Sequence, residues 1–259
     1  MVCLGQEIVL PGKGREVNRY RLLWQGVLAP EAVQFHYHPS ARFEGPAQQV
    51  QAIEQVCREA RAQGQHVENL PLYRLLNWRF EQQQLHFELG QTCYQDYLGM
   101  SRLGLAEAPT VLAVAGTTEI EGRIVLERRS SAVAQGAGLM HVKPSGHIHP
   151  PQSAWQALLA ETWEELAVRP EELSQARCLG LVQSLSANCA CLIYTARTEL
   201  SWSEWSSRRP QDAWEADELV GLDGDVASLD EWLARPAALS TGPGQAAVRF
   251  YREWRYGPA

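Results

Sequence analysis

Between Pro144 and Pro170 the chain runs through the loop Pro144-Ser145-Gly146-His147-Ile148-His149-Pro150-Pro151 into a segment, Gln152 to Val168, with a helical period. Trp155, Leu158, Leu159, Thr162, Trp163 and Leu166 follow i, i+3, i+4, i+7, i+8, i+11 and so share one face of a predicted helix. Glu161, Glu164 and Glu165 project from the other side. Ser153 followed three residues later by Gln156 fits a capping box at the start, and Pro170 cannot continue a helix interior, so both ends are specified locally.

Like charges at i, i+3 and i+4 repel, each close pair costing an isolated helix roughly 0.2–0.5 kcal/mol. No lysine in the segment offsets them. Two readings of the acidic face are open. One is solvated charge that serves solubility. The other is a hard-cation site, because carboxylate oxygens on adjacent turns can converge on Mg²⁺ or Mn²⁺, with the remaining positions left to water and substrate phosphate.

The chain as a whole has 259 residues, enough for one large or two smaller domains, and a formal net charge of −7. That sign argues against a nucleic-acid or anionic-membrane partner held by bulk electrostatics. The start, Met1-Val2-Cys3-Leu4-Gly5-Gln6-Glu7, lacks the apolar core of a secretory signal, and no later run is long enough to span a bilayer. The expectation is a cytoplasmic protein. Of the six cysteines, Cys3, Cys57, Cys93, Cys178, Cys189 and Cys191, only the last two are close, with no second pair for a metal, so buried free thiols are expected.

Taken in order, 18–28 and 32–37 read as strands and 46–63 as a helix with Val50, Ile53, Val56, Cys57 and Ala60 on its apolar stripe. Residues 72–80 and 85–89 form a hairpin pattern around Glu81-Gln82-Gln83-Gln84. Gly90 to Gly99 mixes Tyr94, Asp96 and Tyr97 with glycines in a turn-like context, which suits either a ligand-facing loop or packing tyrosines with polar tips. Ala106-Glu107-Ala108-Pro109 is the candidate boundary, because strand patterning restarts after it: 110–115, a turn at 119–122, then 123–129 ending in Arg128-Arg129. Arginine's planar fork suits phosphate, although strand-end arginines are also simply solvated. Beyond the acidic helix, 178–185 and 189–196 pair as strands, 199–206 is a short helix or turn, and 214–222 leads into a strand that carries Glu215, Asp217 and Glu218. Closing helices are expected at 229–233 and 245–256, the second burying Ala247, Val248, Tyr251 and Trp254.

Strand, turn, strand, glycine loop, acidic helix, strands: from about Pro109 onward this order resembles the Nudix hydrolases. Their signature lies over Gly146 to Val168 with Gly146, Glu161, Glu164, Glu165 and Val168 matching, and with Gln152, Ala160, Thr162 and Ala167 departing from it. The resemblance implies an α/β fold, an α/β/α sandwich with a mixed sheet over 106–259, preceded by an α+β extension over 1–105. It also implies Mg²⁺ (or Mn²⁺) held by Glu161 and Glu165, with Glu164 as shared ligand or base and a backbone carbonyl at Ser145 or Gly146 helping. Ala160 removes an arginine that orients a glutamate in the family, and Gln152 a peripheral acid.

A narrower resemblance rests on Leu89 to Gly99, Arg128 to Ala134 and Pro144 to Pro150, which look like the UDP-glucose pyrophosphatase branch, with Ser145-Gly146-His147 in place of Gly-Gly-His and Tyr94-Gln95-Asp96 matching. It implies a small-molecule partner, a nucleoside diphosphate sugar cleaved to nucleoside monophosphate and sugar 1-phosphate, contacted by Arg128, Arg129, Tyr94, Asp96 and His147. Glu215 is the candidate general base from outside the helix, and a surface acid is the alternative reading of it. His147 and His149 either titrate near neutrality or touch phosphate, or are structural. Two other functions stay open: a non-catalytic nucleotide-binding module, motivated by Gln152, Ala160 and Ala167, and a pyrophosphatase for a dinucleotide or coenzyme A.

Overall fold

A computed structural model of the chain describes residues 15–17, 19–43 and 45–258. Met1 to Glu7, with Cys3, lies outside the described residues. The first part of the chain forms strands β1 (Arg15–Val17), β2 (Tyr20–Leu28) and β3 (Val33–Arg42), helix α1 (Val50–Ala62), strands β4 (Pro71–Glu81) and β5 (Gln84–Cys93), and helix α2 (Tyr94–Arg102). It continues through β6 (Val111–Ile120), β7 (Arg123–Arg129), β8 (Met140–Val142), β9 (Ser145–His147) and α3 (Ala154–Leu166). Then come β10 (Leu173–Ser184), β11 (Cys189–Thr198), α4 (Trp202–Ser206), β12 (Ala216–Asp223), α5 (Val226–Leu233) and α6 (Gly242–Tyr256).

The strands make one 12-stranded sheet, ordered β1-β2-β10-β11-β6-β4-β5-β3, with β7, β8, β9 and β12 attached around β6. It is mixed: β11 runs parallel to β6 and β3 parallel to β5, while the other pairs are antiparallel. The central strands are apolar on both faces. Leu112 and Val114 of β6, Ala190 and Leu192 of β11 and Leu181 of β10 pack against Ala154, Ala157 and Leu158 of α3. The alternate residues Ala115, Cys191, Ile193, Leu179 and Val182 pack against Ala246, Ala247, Val248, Phe250 and Tyr251 of α6. A sheet covered on both faces by helices is the expected α/β/α sandwich, and truncating one such side chain, Leu158→Ala for example, removes about 2–5 kcal/mol.

The sheet runs through the position of the expected 105/106 boundary. β2 pairs with β10 from Cys178↔Leu28 to Ser184↔Tyr20, and β4 meets β6 at Arg74↔Val111. Among the described residues no helix is long and apolar enough to cross a membrane.

Several local expectations shift. Gly90 to Gly99 is no loop but the end of β5 and most of α2, because Tyr97, Leu98 and Met100 are buried and Gly99 lets α2 lie against α1. A Cβ at Gly99 would stand 2.7 Å from Ile53 Cγ2. In α1 the stripe narrows to Ile53, Cys57 and Ala60, and Val50 is exposed at the first turn. In α6 Trp254 sits at a rim rather than in the core. The largest change is in α3: Trp163 is 42% exposed and Glu165 3% exposed, so the helix is rotated relative to its apolar pattern. The Ser153–Gln156 capping box forms as expected. The helix ends at Leu166, before Pro170, because Ala167 takes the left-handed conformation (φ 52°). The described cysteines are free thiols, and all but Cys93 are buried.

Candidate active site

Strand alternation places the first charges. Along β7, Glu127 is fully buried, Arg128 is exposed and Arg129 is partly buried, so Glu127 and Arg129 share the inner face. β8 pairs with β7 through Leu126↔Val142 and Glu127↔His141, which delivers Lys143 next to Glu127. β9 pairs with β6 through Ala113↔His147, Val114↔Gly146 and Ala115↔Ser145, and so lays the glycine loop along the acidic face of α3. β12 starts opposite Arg129, and the Ser130 N–H donates to the Glu215 carbonyl at 2.8 Å, which brings Glu215 to the same point.

The rotated α3 presents Glu161 and Glu165 to this loop. A Cβ built on Gly146 would overlap the Glu161 carboxylate, so the absence of a side chain there lets that carboxylate lie against the loop backbone. Glu165 accepts from the Ser145 N–H at 2.7 Å through Oε2 and touches the Lys143 ammonium through Oε1. Lys143 Nζ also stands 3.1 Å from Glu127 Oε2 and 3.1 Å from Glu215 Oε2, and Arg129 donates to Glu127 Oε1 at 3.0 Å. Among the described residues neither Glu161 nor Glu164 has an ion pair. Five carboxylates, Glu127, Glu161, Glu164, Glu165 and Glu215, thus meet two cations.

The proton affinities follow from burial first and from that imbalance second. Burial, then the charges of Glu215 and Glu164, hold the Glu161 carboxyl well above its ordinary range. Burial likewise raises Glu165, with Lys143 pulling the other way, and raises Glu164, with Asp212 and Glu215 adding to it. At Glu215 burial also pushes upward, but Lys143, a hydrogen bond with Glu165 and then Arg129 overcome it, and the carboxyl lies below the ordinary value. Lys143 is held charged: burial opposes the ammonium, and Glu165, Glu127 and Glu215 outweigh burial.

The opposite wall is aromatic and comes largely from the first hundred residues. The His147 ring packs edge-on to Tyr94 (5.6 Å between centroids) and Tyr97 (5.3 Å), and Tyr97 donates to Gln135 Oε1 at 3.0 Å. Burial, then His149 and Arg129, hold His147 down to about 4, so it is neutral at pH 7. Trp214 meets His66 at 4.8 Å across the rim. Between the carboxylates and these rings lies a cavity of about 300 Å³, open to solvent and lined also by Arg129.

Of the residues expected to contact a ligand, Tyr94, Arg129, His147, Gly146, Glu161 and Glu215 line this cavity. Arg128 does not. Its side chain points to the outer face of β7, 3.7 Å from Glu218, because adjacent strand residues face opposite ways. Asp96 does not either: it lies in the first turn of α2, on a separate groove with Arg42 and Asn69. Glu164 and Glu165 are not part of the lining. Sequence reasoning missed Glu127, His141 and Lys143. Their only signal is charge within apolar strand context, Val125-Leu126-Glu127 and His141-Val142-Lys143, and the pairing of the two strands was needed to join them. His141 is kept neutral by burial, then by Arg129 and Lys143, and hydrogen-bonds Thr241 Oγ1 at 2.7 Å.

No protein-family model matches this chain, and no curated protein matches it. Similar solved structures include the Deinococcus radiodurans protein DR0079, at 21% identity over 69% of this chain and 97% of that one, with a TM-score of 0.46. A MutT protein from Methanosarcina mazei Go1 matches at 16% identity over 58% of this chain and 98% of its own, with a TM-score of 0.41. The NUDIX domain of Shewanella oneidensis NrtR, complexed with ADP ribose, matches at 19% identity over 56% of this chain and 88% of its own, with a TM-score of 0.40. All three TM-scores fall below one half.

Proposed function

We propose that this chain is a metal-dependent hydrolase of the Nudix kind that cleaves the diphosphate bond of a nucleoside diphosphate-linked substrate, a UDP-sugar such as UDP-glucose in the finer reading. The observation that carries this is the charge imbalance: Glu161 lies against Gly146 with no counter-cation among the described residues, at the floor of a cavity whose far wall is aromatic.

A divalent ion fits that floor in one particular way. No three described His, Cys, Asp or Glu side chains converge as a ready-made cage. Mg²⁺ does not need one, since it keeps several waters and is held by one or two carboxylates together with substrate phosphate. Glu161, Glu164 and the Gly146 carbonyl would hold it, with Glu165, expected as a further ligand, turned instead to the Lys143 ammonium and the Ser145 N–H. Bound there, it supplies Lewis-acid polarisation of a phosphoryl oxygen and favours ionised water.

The protein's own groups divide the remaining work. Arg129, on the cavity wall, donates its planar fork to a phosphate. Tyr94 and Trp214 offer faces to a planar base, and neutral His147 adds an N–H donor without further positive charge. For the proton taken from water the two candidates divide: Glu215 lines the cavity, whereas Glu164, outside the lining, is the stronger base. Its carboxyl is raised towards neutrality by burial and by Asp212 and Glu215, whereas Lys143 and Arg129 keep Glu215 a weak base.

The test is a panel of UDP-sugars, ADP-sugars, dinucleotides and coenzyme A, offered to the protein and to Glu161→Gln with Mg²⁺ or Mn²⁺. Expected are metal-dependent release of UMP and sugar 1-phosphate, and a loss of about 10³-fold in Glu161→Gln, the effect of several kcal/mol of charge stabilisation. Binding without turnover anywhere on the panel would sink the enzymatic reading. Cleavage of a dinucleotide alone would remove the sugar-nucleotide assignment.

A further inference from the structure

Lys143 has no part in the reaction just outlined, yet it is the most enclosed charge in the site. It is 1% exposed, and its ammonium touches three carboxylates: Glu127 Oε2 at 3.1 Å, Glu215 Oε2 at 3.1 Å, and Glu165 Oε1. The contact with Glu127 lacks hydrogen-bond geometry, leaving that oxygen with charge contact alone. One cation enclosed by carboxylate oxygens from β7, α3 and the turn before β12 is an arrangement that a metal ion would otherwise complete. A divalent ion bound to the same Glu165 oxygen would stand against the ammonium and be repelled. One turn earlier on the same face of α3, Glu161 has no ion-pair partner among the described residues, nor has Glu164, and burial followed by the neighbouring carboxylates, Glu215 among them, raises both carboxyls.

We propose that Lys143 is a fixed internal cation occupying the place of a metal ion between Glu127, Glu165 and Glu215, so that the site takes one divalent ion, on the side of Glu161 and Gly146, and not two. The inference rests on the metal-dependent reading above. It makes Lys143 a positioning residue: it orients Glu165 and Glu215 and sets how many ions the site holds.

The experiment is a Mn²⁺ titration of the whole 259-residue chain, with free Mn²⁺ read by electron paramagnetic resonance. The parent chain is expected to bind one ion. Glu161→Gln loses it, whereas Glu165→Gln, whose carboxylate serves Lys143, changes the affinity less than about threefold. Lys143→Gln melts at a lower temperature without metal and is rescued by Mn²⁺ as it takes up a second ion. That second ion is lost again in Lys143→Gln/Glu165→Gln. Two ions of similar affinity on the parent chain overturn the proposal, even if hydrolysis is normal. So does a Glu165→Gln loss as large as that of Glu161→Gln, a measurement that does not depend on whether Lys143→Gln folds. Absence of both Mn²⁺ binding and turnover in the parent chain overturns the metal-dependent reading itself, and this inference with it.

Discussion

Two buried carboxylate clusters sit on this sheet, and they are built differently. At the α6 side, Glu119 of β6 accepts from the Tyr251 hydroxyl at 2.9 Å and is paired with Arg255, which also donates to the Tyr251 oxygen at 2.7 Å. One carboxylate meets one guanidinium, and the phenol, pushed up by burial and then by Glu119, stays neutral. A groove opens beside this cluster too, rimmed by Trp254 and Arg197. At the other site five carboxylates meet Lys143 and Arg129. Both places combine buried charge, a tryptophan rim and a concavity, so those features do not separate them. The balance of charge does. A paired charge is compatible with a purely structural role, whereas a surplus of buried negative charge is unfavourable in the apo state and points to a ligand that completes it.

The comparison breaks most sharply at the central lysine. Lys143→Met leaves Glu127 and Glu165 buried without their cation and should cost about 3–5 kcal/mol, read by urea denaturation without metal. A loss under about 1 kcal/mol would mean that those carboxylates are already neutral. Glu119→Gln, which weakens a balanced pair and keeps a hydrogen-bond acceptor, should cost about 1–3 kcal/mol and leave catalysis unchanged. A fall in turnover there would erase the functional distinction between the clusters.

At the rims, Trp214→Ala should weaken substrate binding about 5–10-fold, the loss of roughly 1 kcal/mol of ring contact, while Trp254→Ala leaves it unchanged. Equal effects from both would move the ligand away from the Glu161 cavity.

The smallest effect has the opposite sign. Glu161→Gln should stabilise the apo protein by roughly 0.5 kcal/mol near neutrality by removing like-charge repulsion. Because the Glu161 carboxyl is held above its ordinary value of 4.5, the folded chain binds that proton more tightly than the unfolded one. This group's contribution therefore makes stability fall as pH rises from about 4.5. The difference in Tm between variant and parent should be near zero below pH 4.5 and widen above it. A difference independent of pH would show that Glu161 is not the strained charge.

Local pattern carried much of the fold. The hairpin of β4 and β5, the limits of β7, the capping box of α3 and the pairing of β10 with β11 were legible because each depends on residues close in sequence, through strand alternation, turn residues or a cap. Where longer contacts decide, the pattern misled. Gly90 to Gly99 has a turn-like composition, and only packing on α1 makes its second half a helix. Arg128 and Arg129 read alike as a basic pair, and the side of β7 that each occupies separates them by function.

The acidic helix shows the division most clearly. That Glu161, Glu164 and Glu165 lie within one turn, next to a loop with glycine at 146, follows from the sequence alone, since it needs only the helical period and a cap. Which of them is buried does not. Apolar periodicity puts Trp163 in the core and Glu165 in solvent. The tertiary structure reverses this because Lys143, 22 residues upstream of Glu165, supplies a buried ammonium that makes the carboxylate's desolvation tolerable. Hydrophobic pattern is a property of one element, whereas the neutralisation of a buried charge depends on which elements the sheet brings together.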